Sequence, residues 1–205
     1  MTHQSRADFP VRLQPGDALV VVDVQCDFLP GGALGVPQGD AVVPVLNRYI
    51  ARFRVHELPI AFTRDWHPPA HCSFHAQGGP WPPHCVADTA GAAFAPGLTL
   101  PANARLVSKA TTAAADAYSG FDGTDLADWL RACGAQRLFV GGLATDYCVQ
   151  ATVRDGLAAG FDVFVLADAV RAVDVRPGDG ARAVAAMEAG GAHLVTLEAL
   201  EDEPA

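Results

Sequence analysis

Six short runs of apolar, largely β-branched residues recur along the chain: ALVVVDV (18–24), LPIAFTR (58–64), RLVSK (105–109), RLFVGGL (137–143), FDVFVLAD (161–168) and AHLVTL (192–197). Most are apolar at successive positions instead of alternating, the pattern of strands covered on both faces. Helical spacing fills the intervals. Residues 40–56 set Val43, Leu46, Ile50 and Phe53 on one side. Thr124 opens and Gly134 closes a helix over 124–133, and Thr145 and Gly160 bracket another over 146–159. A fourth, over 178–189, ends at Gly190–Gly191. Strand–helix–strand crossovers are right-handed and lay helices on both faces of a sheet. The expected fold is therefore a single α/β domain over residues 1–205. Its sheet is open, mainly parallel and six-stranded, in a Rossmann-like three-layer arrangement, and chains of this length commonly bury one core.

Composition removes several function classes. Half the residues are hydrophobic and 18% charged, which excludes a disordered chain. The net charge of -9, with no cluster of Lys and Arg, speaks against nucleic acid and anionic membranes as partners. The start, MTHQSRADFPVRLQPGD, lacks the apolar core of a signal peptide, and no apolar run approaches a membrane helix, so a cytoplasmic location is expected. Five scattered cysteines (26, 72, 85, 133 and 148) make a poor disulfide framework, and each stands as buried filler, metal ligand or nucleophile. Association into a homo-oligomer is compatible with all of this.

In open parallel sheets, ligands bind beyond the carboxyl ends of the strands. Those ends carry an unusual set of groups here: Asp23, Asp65 followed by His67, Lys109, and Cys148 after GGLATDY. A lone cysteine is more often a small buried hydrophobe. With Thr145 as a cap, however, Cys148 falls in the first turn of a helix, where free N–H groups, aided by Lys109, are expected to favour the thiolate. Asp23 stands inside an apolar strand, where a carboxylate is costly unless paired. Desolvation raises its pKa towards that of a general base, while Lys109 pulls the other way.

One connection breaks the rhythm. Residues 65–104 form a Pro-, Gly- and Ala-rich stretch without periodicity, and long irregular loops in compact domains usually have a function. It begins in RDWHPPAHCSFHAQGGPWPPHCV (64–86), with four histidines and two cysteines. Asp65 and His67, two apart in an extended segment, point the same way, and His84 can return as a third ligand. A carboxylate and two imidazoles suit zinc, iron or manganese, with positions open for water or substrate. His71, Cys72, His75 and Cys85 are competing donors on spacing alone, and a surface loop of ligand-free histidines is the bland alternative.

VVDVQCDFLPGG (21–32), TRDWHPPAHCSF (63–74), WPPHCV (81–86), SKAT…DAYSGF (108–121) and GGLATDYCVQAT (141–152) together resemble the nicotinamidases of the isochorismatase-like hydrolase superfamily. The resemblance covers about residues 18–170, in the family's order. It implies a cysteine amidohydrolase that deamidates nicotinamide through a thioester. Asp23, Lys109 and Cys148 match the catalytic base, cation and nucleophile. Asp65, His67 and His84 match the ligands of one divalent metal, zinc in the first place, with iron or manganese as alternatives. Phe28, Trp81 and Tyr147 match substrate-binding positions. Leu143–Ala144 matches a non-proline cis peptide, with the Ala144 and Cys148 N–H groups as an oxyanion hole. Departures are Lys109–Ala110, where many relatives have Lys-Gly, the alanine-rich TTAAADAYSGF, and a short HAQGG loop. Two rivals remain: a metal-independent amidase for carbamoyl compounds, and a metal- or redox-sensing binding protein. Asp168, at a strand end, is expected only to cap the following turn.

Overall fold

The computed structural model describes residues 10–201; residues 1–9, part of the segment expected above to lack a signal peptide, lie outside the described residues. In chain order the elements are β1 (Val11–Arg12), β2 (Asp17–Val22), α1 (Val42–Val55), β3 (Ile60–Asp65), β4 (Arg105–Lys109), α2 (Leu126–Ala132), β5 (Arg137–Leu143), α3 (Gln150–Ala158), β6 (Asp162–Arg171), α4 (Asp179–Ala189), β7 (His193–Val195) and β8 (Leu200–Glu201). Six of the strands form one parallel sheet in the order β4-β3-β2-β5-β6-β7.

Every residue of β2 is buried, and its alternate side chains serve two different cores. Leu19 and Val21 pack with Leu46, Ile50 and Phe53 of α1 on one face. Ala18, Val20 and Val22 pack on the other with Leu126 and Leu130 of α2, Val153 of α3 and Met187 of α4. Two covered faces explain the continuous apolar run, and each fully buried Val, Leu or Ile contributes roughly 1.5–3 kcal/mol. None of the described helices is long and apolar enough to cross a membrane.

Several boundaries differ from expectation. β2 ends at Val22, so Asp23 lies just beyond the strand, at a left-handed φ of 49°. The helix expected over 146–159 opens instead with a π-helical turn, Thr145–Val149, and becomes α-helical only at Gln150. Thr145 is the first residue of that turn; its N-cap is Ala144. Likewise α2 begins at Leu126, whose N–H reaches the Thr124 hydroxyl at 3.3 Å. Strand β6 continues to Arg171 across a register shift opposite β5, which places Asp168 within it. Asp168 caps no following turn: its carboxylate accepts from the Tyr49 hydroxyl (2.8 Å) and the Leu197 N–H (3.0 Å), tying α1 to the chain after β7. The two-residue β1 and β8 pair in parallel, Val11 opposite Leu200, too briefly for any period to reveal them.

At Gly142 (φ 126°) a Cβ would collide with the Val22 backbone, so β2 and β5 approach closely where both deliver their functional residues. The 65–104 connection stays irregular after Asp65, with one 3-10 turn (His75–Gln77) and single bridges, including His67 to Val86 and Phe74 to Trp81.

Candidate active site

The carboxyl ends of β2, β3, β4 and β5 converge as expected. Lys109, the last residue of β4, is the hub. Its fully buried Nζ lies 2.5 Å from Asp65 Oδ1, 2.9 Å from Asp23 Oδ2, 2.9 Å from the Ala117 carbonyl and 3.6 Å from Cys148 Sγ. Asp23 is completely buried; its Oδ1 accepts from the Thr63 hydroxyl at 2.6 Å and its N–H donates to Thr63 O at 3.2 Å. Asp23 Oδ2 faces the Lys109 ammonium at 2.9 Å, a contact of opposite charges in a fully buried setting. A carboxylate oxygen has room for more than one donor, so Oδ2 is placed to accept a proton from a neighbour as well.

Burial raises the Asp23 pKa; Lys109 opposes this and Asp65 adds to it. Burial would lower that of Lys109, but Asp23 and Asp65 drive it well above the usual value, so the ammonium persists. Cys148 corrects an expectation. Its pKa is raised well above that of a free thiol, because burial, together with the Asp23 and Asp65 carboxylates, outweighs Lys109.

Asp65, closing β3, is held by Gln25. The buried Gln25 amide accepts from the Asp65 N–H (2.8 Å) and donates to the Asp65 and Ala92 carbonyls (both 2.9 Å). His67 Nδ1 donates to the His84 carbonyl at 2.9 Å, and His84 Nδ1 to the Pro82 carbonyl at 2.8 Å. A carbonyl only accepts, so both rings carry their proton on Nδ1 and present an Nε2 lone pair. His67 Nε2 is buried with no hydrogen-bond partner among the described residues; Asp65 Oδ1 lies 3.9 Å away. One donor atom from each of Asp65, His67 and His84 lies within 4.8 Å of the others. Burial raises the Asp65 pKa, but Lys109 and His67 outweigh it and keep the carboxylate anionic. An anion, two oriented imidazoles and an orphaned lone pair fit a divalent cation.

The competing donors are engaged otherwise. His71 also falls in a group with His67 and Asp116, yet both its nitrogens are occupied, by Ser73 Oγ (2.7 Å) and Ala115 O (3.0 Å). His75 is exposed and bonds Gly79 O. Burial pushes the Cys85 thiol far up, so it is no ready thiolate, and Cys72 joins none of the donor groups. Cys72→Ser and Cys85→Ser are therefore expected to retain bound zinc stoichiometrically by elemental analysis; metal loss in either overturns this ligand choice.

With this geometry in place, comparison with known proteins is decisive. A family model described as the isochorismatase domain matches residues 17–199. The chain belongs to the isochorismatase family. Within it, the chain is similar to the nicotinamidase of Escherichia coli K12, 40% identical over 209 residues, covering 92% of this chain and 98% of that one. Among solved structures it is similar to the pyrazinamidase of Pyrococcus horikoshii in complex with zinc (TM-score 0.86, 49% identity, covering 89% of this chain and all of that one). It is also similar to PnC1 from L. infantum in complex with nicotinate (TM-score 0.87, 38% identity, covering 95% of this chain and all of that one).

In this isochorismatase-family chain the peptide bond Leu143–Ala144 is cis. Beside it lies a cleft of about 440 Å³, open mouth included, lined by Phe28, Trp81, Tyr147 and Ala144, with Asp65, His84 and Cys148 at its base. All three expected aromatic positions thus meet at one cleft. Sequence reasoning missed four further walls, Leu34, Val36, Tyr118 and Val173. Tyr118 accepts from the Trp81 indole N–H at 3.0 Å, and both rings lie near Tyr147 (centroids 5.9 and 5.4 Å). A larger groove of about 1460 Å³, open mouth included, lies beside α3 and α4 and is lined by none of Asp23, Lys109, Cys148, Asp65, His67 and His84.

Proposed function

We propose that this chain is a metal-dependent nicotinamidase, converting nicotinamide to nicotinate and ammonia and accepting pyrazinamide in the same way. The observation that carries this reading is Lys109, which brings Asp23, Asp65 and Cys148 together, the latter two lining a cleft walled by Phe28, Trp81, Tyr118 and Tyr147.

The ring lies between Phe28, Trp81 and Tyr147 with its carboxamide carbon at Cys148 Sγ. As sulfur attacks, its proton passes to Asp23 Oδ2, and the Ala144 and Cys148 N–H groups donate to the developing oxyanion. Lys109 supplies a fixed positive charge beside the sulfur. Asp23 then returns the proton to the amide nitrogen, the C–N bond breaks, and ammonia leaves a thioester. Asp23 next draws a proton from water as the water adds to the thioester carbonyl. Collapse expels the sulfur as nicotinate forms, and Asp23 returns the proton to it, restoring the thiol. A divalent cation held by Asp65, His67 and His84, zinc first and iron or manganese as alternatives, would supply positive charge to the pyridine nitrogen and orient the ring. All five cysteines are free, which supports placement in the reducing cytoplasm.

The test is ammonia release by the metal-loaded chain. Nicotinamide is expected to be turned over and simple carbamoyl compounds not. Turnover of carbamoyl compounds with none of nicotinamide assigns the cleft to the other branch of the superfamily.

A further inference from the structure

The turn after β2 also carries Asp27, which takes no part in the steps above. Its Oδ2 accepts from the Cys85 N–H at 2.7 Å, and its Oδ1 accepts weakly from Ala33 N–H at 3.3 Å. The Cys85 N–H belongs to the peptide unit that joins His84 to Cys85. The oxygen of that same unit, on His84, accepts from His67 Nδ1 at 2.9 Å. One peptide thus connects the Asp27 carboxylate to the ring of one metal candidate, and it forms part of the backbone of another.

The surrounding chain is built to keep this contact. Cys85 is held at a left-handed φ of 45°, and its carbonyl accepts the His67 N–H at 3.0 Å. Gly91 O accepts the Asp27 N–H at 3.0 Å, and a Cβ on Gly91 would occupy the space of the Asp27 carboxylate. That side chain is therefore admitted only because residue 91 is glycine.

We propose that Asp27 is a positioning residue for the metal, acting through the His84–Cys85 peptide. A hydrogen bond to a carboxylate is stronger than one between neutral groups, and bonds in series polarise one another. The negative charge draws the Cys85 N–H, places more electron density on the His84 oxygen, and so strengthens its hold on the His67 Nδ1–H. His67 Nε2 becomes a better donor, and the backbone of His84 is fixed in the same act. The arrangement is a carboxylate–histidine–metal relay with one peptide inserted. Removing such outer partners typically weakens metal binding by roughly 10–100-fold.

The inference rests on Asp65, His67 and His84 as the metal site, and the experiment separates the two claims. Zinc affinity of the metal-free full chain is measured by competition with a chromophoric chelator, and the absorption spectrum of the cobalt-loaded protein is recorded. Wild type is expected to bind one zinc and His84→Ala to lose it. Asp27→Asn keeps the size and one accepting oxygen but drops the charge. It is expected to bind zinc at least about tenfold more weakly with an altered cobalt spectrum, while thermal unfolding of the metal-free protein is unchanged. Wild-type zinc affinity in Asp27→Asn overturns the relay, as does a loss matched by equal destabilisation of the metal-free chain. Should Asp27→Asn not fold, Gly91→Ala, which displaces the carboxylate without removing it, decides the matter, and unchanged affinity there also overturns the relay. A wild-type chain that binds no zinc, or a His84→Ala chain that keeps it, removes the metal-site reading itself.

Discussion

Cys148→Ala is expected to release no ammonia from nicotinamide above background while still binding the ring. Among the residues lining the cleft, Cys148 is the one that carries a thiol. Losing a nucleophile of this kind costs a hydrolase on the order of 10⁶ in rate. The remaining architecture does not depend on the sulfur, since Lys109 keeps its contacts to Asp23, Asp65 and the Ala117 carbonyl. Calorimetry is therefore expected to show nicotinamide binding close to wild type, and metal analysis a full complement. Even one per cent of wild-type turnover in the alanine variant would defeat a mechanism through a covalent thioester.

Lys109→Met is expected to remove activity and much of the stability together. The ammonium is buried between two buried carboxylates, and methionine fills the space but leaves both without a cation. Breaking a buried ion pair from one side costs about 3–5 kcal/mol. For a chain of this length that lowers the unfolding midpoint by roughly 10 °C. The measurement belongs on metal-free protein, where no other cation compensates Asp65. Adding Asp23→Asn is expected to restore part of the lost stability and none of the activity, because one of the stranded charges is gone but so is the base. A midpoint within two or three degrees of wild type for Lys109→Met would mean that the triad's charges are solvated and that burial is not what tunes them.

Asp23 was legible because a carboxylate in an apolar run has few structural excuses, and Cys148 and Lys109 because each follows such a run. The sheet could be read for the same reason: β2, covered on both faces, has no polar side to hide. What the sequence did not carry was the neighbour relation. Asp65 meets Lys109 because β3 and β4 pair in a register that sets these two residues opposite each other, across a 44-residue separation. No local pattern encodes that register. The sign of the Cys148 shift was missed for a related reason, since the rule for helix termini is local whereas the burial that overrides it comes from the whole sheet edge. Val173 and Tyr118 lie on irregular segments, and only contacts such as Asp146 to the Val173 and Asp174 N–H groups (both 2.9 Å) bring one of these segments to the cleft.

The strand order has a consequence for the timing of biosynthesis. β2 emerges early, yet on one side it pairs with β5, Asp17 opposite Arg137, and Asp23 and Cys148 lie just beyond the ends of these two strands. Parallel pairings between such distant segments form slowly, after long loops have been closed. A nascent chain that has displayed Asp23, Asp65 and Lys109 still lacks the strand that locks β2 and the turn that carries the thiol. Chains that stop before β5 therefore lack the proposed nucleophile, and the Cys148 thiol is the last of these four groups to be made.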